Sequence, residues 1–372
     1  MERPRVRYLD IQPYGDKFLV SDPFGLVEPL LVSWELLLIM SLMDGTRNEE
    51  EIKAEFLRKT GNILTHEDYR QVLKILEENY LLLNDSFRSK LNSLKEEMLN
   101  RGVRKAFHAG QAYPADAQKL KEFLSSAIRE EEKENLVGIL VPHMDMRVAI
   151  ETYGKVYSKA GNSPQLVVIL GVSHYIHQNP FSVCPLDLET PLGTLETDKE
   201  VVEKLKSEFS YDIFEDILSY QKEHSIEFQA VFIKHLFPEA KVLPAIVSYG
   251  DKRTLRDIAE KLFKALEGKE LLIVSSVDMS HVGKKFGDPA SYDPYTRDME
   301  YIDLLGKLDA EGSFELLESD NNKTRIDGQF TNFVFLELIK MLGAEKGKPI
   351  DYQQFYEEPT DSIVSYAGMS FS

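Results

Sequence analysis

Three histidines stand directly beyond apolar runs, and histidine at such positions can bind a metal ion or carry a proton. The runs are LVGILVPH at 136–143, QLVVILGVSH at 165–174 and LLIVSSVDMSH at 271–281, which end at His143, His174 and His281. Continuous aliphatic runs of this length predict strands that are buried on both faces of a sheet. In an open α/β sheet, ligands lie beyond the carboxyl ends of the strands. We therefore expect these histidines to converge on one site.

A fourth histidine and nearby carboxylates extend this set. His224 lies in KEHSIEFQ, between Glu223 and Glu227, which either form a solvated face or orient a histidine. Asp278 stands three residues before His281 and could orient it by accepting a ring proton. Neutral imidazoles suit Fe, Zn, Cu and Ni, and two histidines with one carboxylate form the site of non-haem Fe(II) oxygenases. The residues themselves leave the choice of metal open.

The composition of the chain limits which partners it is expected to bind and in which compartment it is expected to work. The chain has 372 residues, which is enough for two domains, and a net charge of -18, which argues against affinity for nucleic acid or an anionic membrane. Its only cysteine, Cys184, rules out an internal disulfide or a thiolate cage, so a metal would need nitrogen and oxygen ligands. The amino terminus lacks a signal-peptide core, and no apolar run is long enough for a membrane span. We expect a cytoplasmic protein.

The first part of the chain predicts a small α+β domain with a winged-helix-like pattern at 1–85. A hairpin at 7–22 precedes helices at 33–43, 48–60 and 65–83, and a charged helical connector follows at 86–103. Through LLIMSLMDGTRNEEEI and VLKILEENYLLL this stretch resembles a PqqD-like domain, also called the RiPP recognition element. The resemblance implies binding of a peptide or partner protein, and a cover or dimerisation element is the alternative. The acidic run 49–51 argues against DNA binding.

From 104 to 372 the pattern changes to strands alternating with helices. Strands are expected at 136–143, 165–174, 241–247, 271–277 and 362–371, with helices between them that include 115–134 and 150–160. This order predicts an α/β domain whose mostly parallel or mixed sheet is covered by helices on both faces.

Seven ordered motifs in this second part resemble the Memo family, also called AmmeMemoRadiSam system protein B. They are AYPAD at 112–116, VPH at 141–143, LGVSH at 170–174, TPLGTLETD at 190–198, EHSIEFQ at 223–229, SSVDMSH at 275–281 and SYAG at 365–368. The resemblance implies the fold of class III extradiol dioxygenases and a metal site at His143 and His174. It maps the family's SSD-x-x-H segment onto Asp278 and His281, which we expect to be catalytic together with His224.

One departure from the family pattern concerns a third metal ligand. Where many Memo proteins present Cys-Gly ahead of a late helix, this chain has Asp327-Gly328. The resemblance therefore implies that a carboxylate replaces a thiolate, with His143, His174 and Asp327 as the metal ligands. The alternative is that Asp327 only caps the helix that follows.

The expected function is a metal-binding protein with a dioxygenase-like redox pocket, fused to a peptide-recognition module. Fe2+ is the first expectation for the ion, with Zn2+ or Cu as alternatives, and the substrate would be a small molecule or a peptide. A non-catalytic metal-dependent scaffold and a zinc-dependent hydrolase with His281 as general base are the competing functions. The sequence does not specify the oligomeric state.

Overall fold

The computed structural model describes residues 3–372 apart from 25, 162 and 176. The chain divides into two compact units, Met1–Asn100 and Arg101–Ser372. Each unit has its own cluster of buried apolar side chains. Among the described residues, no helix combines the length and apolar character that crossing a bilayer requires.

The first unit begins with a three-stranded antiparallel sheet. Its strands are β1 (Asp10–Tyr14), β2 (Lys17–Ser21) and β3 (Leu30–Val32), with β2 in the middle. Gly15 has a φ of +63°, a conformation that glycine adopts without steric cost, in the tight turn from β1 to β2. The hairpin expected at 7–22 is present.

Four helices follow this sheet in the first unit. They are α1 (Trp34–Leu42), α2 (Glu49–Thr60), α3 (His66–Glu78) and α4 (Asp85–Asn100). Asn48 and Glu51 form a capping box, so the acidic run occupies the amino terminus of α2, where negative charge is stabilising. α3 ends before the expected residue 83, because Tyr80 has a left-handed φ of +52° that a helix cannot continue.

The second unit contains eleven strands among its described residues. They are β4 (Val103–Arg104), β5 (Gly138–Val141), β6 (Leu166–Gly171), β7 (Phe181–Val183), β8 (Asp187–Thr190), β9 (Gly193–Leu195), β10 (Lys241–Val247), β11 (Leu271–Ser276), β12 (His281–Gly283), β13 (Gly347–Glu357) and β14 (Ser362–Phe371). Eight of them form one sheet in the order β12-β14-β5-β11-β6-β10-β7, with β13 paired to β14. The central strands β5, β11, β6 and β10 are parallel, and the outer pairings are antiparallel. The carboxyl ends of the parallel strands therefore meet at one edge.

Helices cover both faces of this sheet. They are α5 (Ala117–Ala127), α6 (Met146–Lys159), α7 (Lys199–Glu208), α8 (His224–Leu236), α9 (Lys252–Ala265), α10 (Tyr295–Gly306), α11 (Ala310–Glu318) and α12 (Gln329–Met341). Leu166, Val168 and Leu170 of β6 point into the core formed with α9 and α12, whereas α6 and α8 contact the opposite face. The predicted α/β class, with a mixed sheet between two helical layers, is confirmed.

Two local expectations in the second unit differ from the structure. Helix α5 was expected to reach residue 134 but ends at Ala127, because Ser158 accepts the backbone N–H of Arg129 and the N–H of Glu134 donates to Lys159. These tertiary bonds hold the charged run 128–134 in a non-helical path. Strand β13 was not expected at all, since its polar sequence, GKPIDYQQFYE, lacks the apolar run of a buried strand.

Candidate metal centre

The sheet brings His143 and His174 together at the carboxyl edge of its parallel strands, and His224 joins them from the first turn of α8. The ring centroids of His143 and His174 are 4.9 Å apart, and His224 lies 5.0 Å from the first and 4.2 Å from the second. One ring nitrogen of each residue lies within 4.8 Å of the others. This three-histidine cluster differs from the expected set, in which Asp327 was the third ligand and His224 was catalytic.

His143 is held so that one ring nitrogen faces the cluster. The side chain is buried, and its Nδ1 donates to the carbonyl of Ser276 at 3.1 Å. Its Nε2 lies 2.9 Å from Oδ2 of Asp327, and no other described residue hydrogen-bonds to either atom. A ligand shared by these two buried polar atoms would satisfy both of them. The pair is therefore suited to bind one cation.

The electrostatics of His143 favour positive charge at this point. Burial lowers its pKa, but the carboxylates of Asp278 and Asp327 outweigh burial and raise the pKa to about 10. Burial also opposes ionisation of Asp327, whereas His143 and other nearby histidines hold the pKa of this carboxyl below its usual value. A cation bound between the two side chains would replace the proton that they share.

Glu223 orients His174. Its carboxylate is completely buried and accepts from Nδ1 of His174 at 2.8 Å and from the backbone N–H of His174 at 3.1 Å. It also caps α8 by accepting from the N–H of Ser225. Burial raises the pKa of Glu223, but His174 and His224 lower it far more, so the group is ionised. With Nδ1 of His174 occupied, Nε2 is the nitrogen available to an ion.

His224 is prepared as a neutral imidazole. Burial first, and then the neighbouring His174 and His143, hold its pKa well below the usual value. Its ring also lies 5.5 Å from the ring of Phe228 and 5.9 Å from that of His108. A neutral ring nitrogen is the form that binds a metal ion.

Asp278 has a different role from the one expected. Its Oδ1 accepts the backbone N–H groups of His143 at 3.0 Å and Met144 at 3.2 Å, and its own N–H donates to Oδ1 of Asp327 at 3.0 Å. The ring Nδ1 of His281 instead lies 3.1 Å from the carbonyls of Met279 and Arg325. The expectation that Asp278 orients His281 is wrong, and Asp278 instead joins the turn of His143 to Asp327.

The structure does not support the alternative that Asp327 caps α12. The residue at the cap position is Gly328, and no side chain hydrogen-bonds to the amino terminus of that helix within the described chain. One oxygen of Asp327 accepts from the backbone N–H of Asp278 and the other faces His143. The carboxylate thus contacts His143, one member of the three-histidine cluster.

These donors fit a divalent ion. Zinc binds histidine nitrogen at about 2.0–2.1 Å, so two ligands of one ion can be separated by the 2.9 Å observed between His143 and Asp327. Three imidazoles and one carboxylate suit Fe, Zn or Cu, and they offer no thiolate that would select a softer ion. The residues present could therefore hold one metal ion.

Comparison with known proteins identifies the family. The model of the family described as Memo-like protein matches residues 104–370. The chain belongs to the Memo-like family. A MEMO1 family protein of Aquifex aeolicus is 56% identical over 99% of this chain and 100% of its own length. A MEMO1 family protein of Thermus thermophilus is 30% identical, over 87% of this chain and 98% of its own length.

Another relative is matched over nearly its whole length by only part of this chain. A MEMO1 family protein of Pyrococcus furiosus is 28% identical over 72% of this chain, and this match covers 98% of that protein. The first unit of our chain lies outside the residues that the Memo-like family model matches. Its likeness to a PqqD-like domain stays a prediction.

Gln229 contributes to the Memo-like site but was not singled out from the sequence. Gln229 is buried, and its Nε2 donates to the carbonyl of Pro142 at 2.8 Å and to Oγ of Ser276 at 2.9 Å, on both sides of His143. It ends the motif EHSIEFQ, but its position does not reveal which groups its amide contacts. His224 was found from sequence, and only its role as a member of the cluster was not expected.

Proposed function

We propose that the Memo-like unit is a metal-dependent oxidoreductase in which His143, His174, His224 and Asp327 hold one divalent ion. The observation that carries this proposal is the approach of three ring nitrogens to within 4.8 Å of one another, beside a carboxylate oxygen. Fe2+ is the proposed ion, because imidazole and carboxylate are the donors of non-haem iron oxygenases. When bound, it would supply one-electron and dioxygen chemistry.

The residues of the chain prepare the site for this ion and for a substrate. The carbonyl of Ser276 and the carboxylate of Glu223 fix the rings of His143 and His174, so each presents Nε2. His281 has its Nδ1 against two carbonyls, which leaves its Nε2 as the nitrogen that can accept a proton. We propose that His281 removes the proton from a substrate hydroxyl.

Metal analysis of protein purified without oxygen tests the proposal. Wild type is expected to carry about one iron per chain, and His143→Ala, His174→Ala and His224→Ala are expected to lose most of it. Catechol and oxygen are then added, and ring cleavage is followed by absorbance together with oxygen consumption. Full metal occupancy in all three variants would place the ion elsewhere, and occupancy without any reaction would favour a non-catalytic binding protein.

A zinc-dependent hydrolase is the second candidate. The observation that favours it is the third histidine, because three histidines with an open position form a catalytic zinc site. In this case His281 would act as general base towards a metal-bound water. Zinc in the purified protein, with hydrolysis of an activated ester that requires zinc and His281, would favour this function over oxidation.

For the first unit, we propose binding of an extended peptide segment or a partner protein. β1 is an outer strand of its sheet, all of its residues are exposed, and Leu31 of β3 is 53% exposed. A peptide that adds to a sheet edge gains main-chain hydrogen bonds without needing a basic surface.

Selection of displayed random peptides on the full chain tests this binding. The proposal expects peptides whose binding is lost in Leu31→Glu and kept in the control Ile63→Glu, since Ile63 is 78% exposed between α2 and α3. Failure to enrich peptides, or salt-sensitive binding of duplex DNA at physiological ionic strength, would contradict it.

A further inference from the structure

A groove of about 430 Å³ opens beside His174 and Asp327. This volume lies within the range of about 300–1,000 Å³ that is typical of small-molecule sites. Val172 and Val247 contribute apolar lining from beyond β6 and at the end of β10, and Phe330 contributes from the first turn of α12. The groove is also lined by the polar residues Ser248, Asn321, Asn322 and Gln329. A molecule in it would therefore have an apolar wall on one side while one end reaches His174 and Asp327.

The positive charge of Arg325 in the groove lining is already neutralised by an ion pair with Asp288. Among the described lining residues, Arg325 is the cation, and its Nη1 and Nη2 donate to the two carboxylate oxygens of Asp288 at 3.0 Å and 2.9 Å. Nη1 also donates to the carbonyl of His281 at 3.1 Å. A bidentate pair of this kind is strong and geometrically specific, so Arg325 is not a free counter-ion for an anionic ligand.

We propose that this groove binds the uncharged, apolar body of a small substrate whose oxygen donors coordinate the ion at the three-histidine cluster. The inference rests on the proposed function, because it places the oxygen donors at that ion. The apolar wall selects the body of the molecule, and the Arg325–Asp288 pair leaves no advantage for a distal carboxylate or phosphate.

The probes are hydroxamates that differ in their organic substituent. All of them present the same two oxygen donors to a metal ion. The metal-loaded full chain is titrated with acetohydroxamate, benzohydroxamate and 4-carboxybenzohydroxamate, and the dissociation constants are compared. The phenyl body is expected to bind about 10- to 100-fold more tightly than the methyl body, as burial of several carbons against an apolar wall implies. The added carboxylate is expected to give no further gain.

A variant and its control test whether the higher affinity for the phenyl hydroxamate comes from the groove. Phe330→Ala is expected to remove most of the preference for the phenyl body while leaving acetohydroxamate binding unchanged. Phe263→Ala is the matched control, because Phe263 is a 39% exposed aromatic residue of α9 outside the groove lining. That variant is expected to keep the preference of the wild type.

The possible outcomes separate the groove from the metal centre. Equal affinity for the methyl and phenyl hydroxamates would overturn the groove assignment and leave the metal centre in place. Failure of every hydroxamate to bind metal-loaded protein would count against an open metal centre, and with it the inference. A carboxylated probe that binds tenfold more tightly than benzohydroxamate, through an effect lost in Arg325→Gln, would show that the groove selects anions.

Discussion

Glu223 offers a test of how strongly the residues behind the histidines control metal binding. Its buried carboxylate accepts two hydrogen bonds from His174 and one from Ser225. Glu223→Gln keeps the size of the side chain but replaces one carboxylate oxygen by an NH2 group. This group cannot accept a hydrogen bond, so at least one N–H of His174 or Ser225 loses its acceptor. One buried donor left without an acceptor costs about 1–3 kcal/mol. If that cost falls on His174, metal affinity decreases by about 10- to 100-fold, which is typical for loss of an outer partner of a metal ligand.

Glu227→Gln is the matched control for this change. Glu227 lies on the same helix and is equally buried, but its carboxylate accepts from Arg104, from the hydroxyl of Tyr113 and from two backbone N–H groups. Removal of its charge should lower the thermal midpoint, because it leaves Arg104 as an uncompensated buried charge.

Competition with a chelator of known affinity measures metal binding in both variants, below their unfolding temperatures. We expect a large loss of metal affinity in Glu223→Gln and a loss of less than about threefold in Glu227→Gln, on the scale of outer-partner effects. Glu223 does not control metal binding if Glu223→Gln binds as tightly as wild type, or if both variants lose affinity equally.

Four further predictions concern single residues and the division of the chain. His281→Ala should keep its metal ion while oxygen consumption with substrate falls by about 10²- to 10⁴-fold, and loss of the ion would show that His281 is a ligand. Asp327→Cys should retain metal but shift its preference towards softer ions, as a competition between iron and zinc would show. Burial raises the pKa of Cys184 to about 11, so a thiol reagent at pH 8 should react only after unfolding, and rapid reaction of the native protein would contradict this environment. A fragment spanning 101–372, which forms a compact unit with its own core, should be soluble and bind metal, whereas aggregation would favour a covering role for the first unit.

The sheet and the positions of two histidines could be predicted from sequence because the signal is local. A continuous aliphatic run specifies a buried strand, and parallel strands place their carboxyl ends together, which brought His143 and His174 to one edge. The polar strand β13 lacked that signal, since it lies outside the central strands and pairs only with β14 in the described sheet.

The contacts among site residues depended on tertiary structure that spacing does not reveal. Asp278 and His281 are three residues apart, which would bring them together on a helix, but the chain between β11 and β12 is not helical. Asp278 consequently contacts the turn of His143, which is 135 residues away in sequence. The convergence of His224 with His143 likewise requires α8 to begin at the sheet edge.

The location of the ion is the most direct test of the account. Crystals of protein loaded with Fe2+ under anaerobic conditions would be measured at the iron absorption edge, where the anomalous difference map shows metal positions. The account predicts one strong peak in each chain, within bonding distance of ring nitrogens of His143, His174 and His224 and of a carboxylate oxygen of Asp327. A map with its iron peak away from the three histidines, or with no peak in protein shown to contain iron, would contradict it.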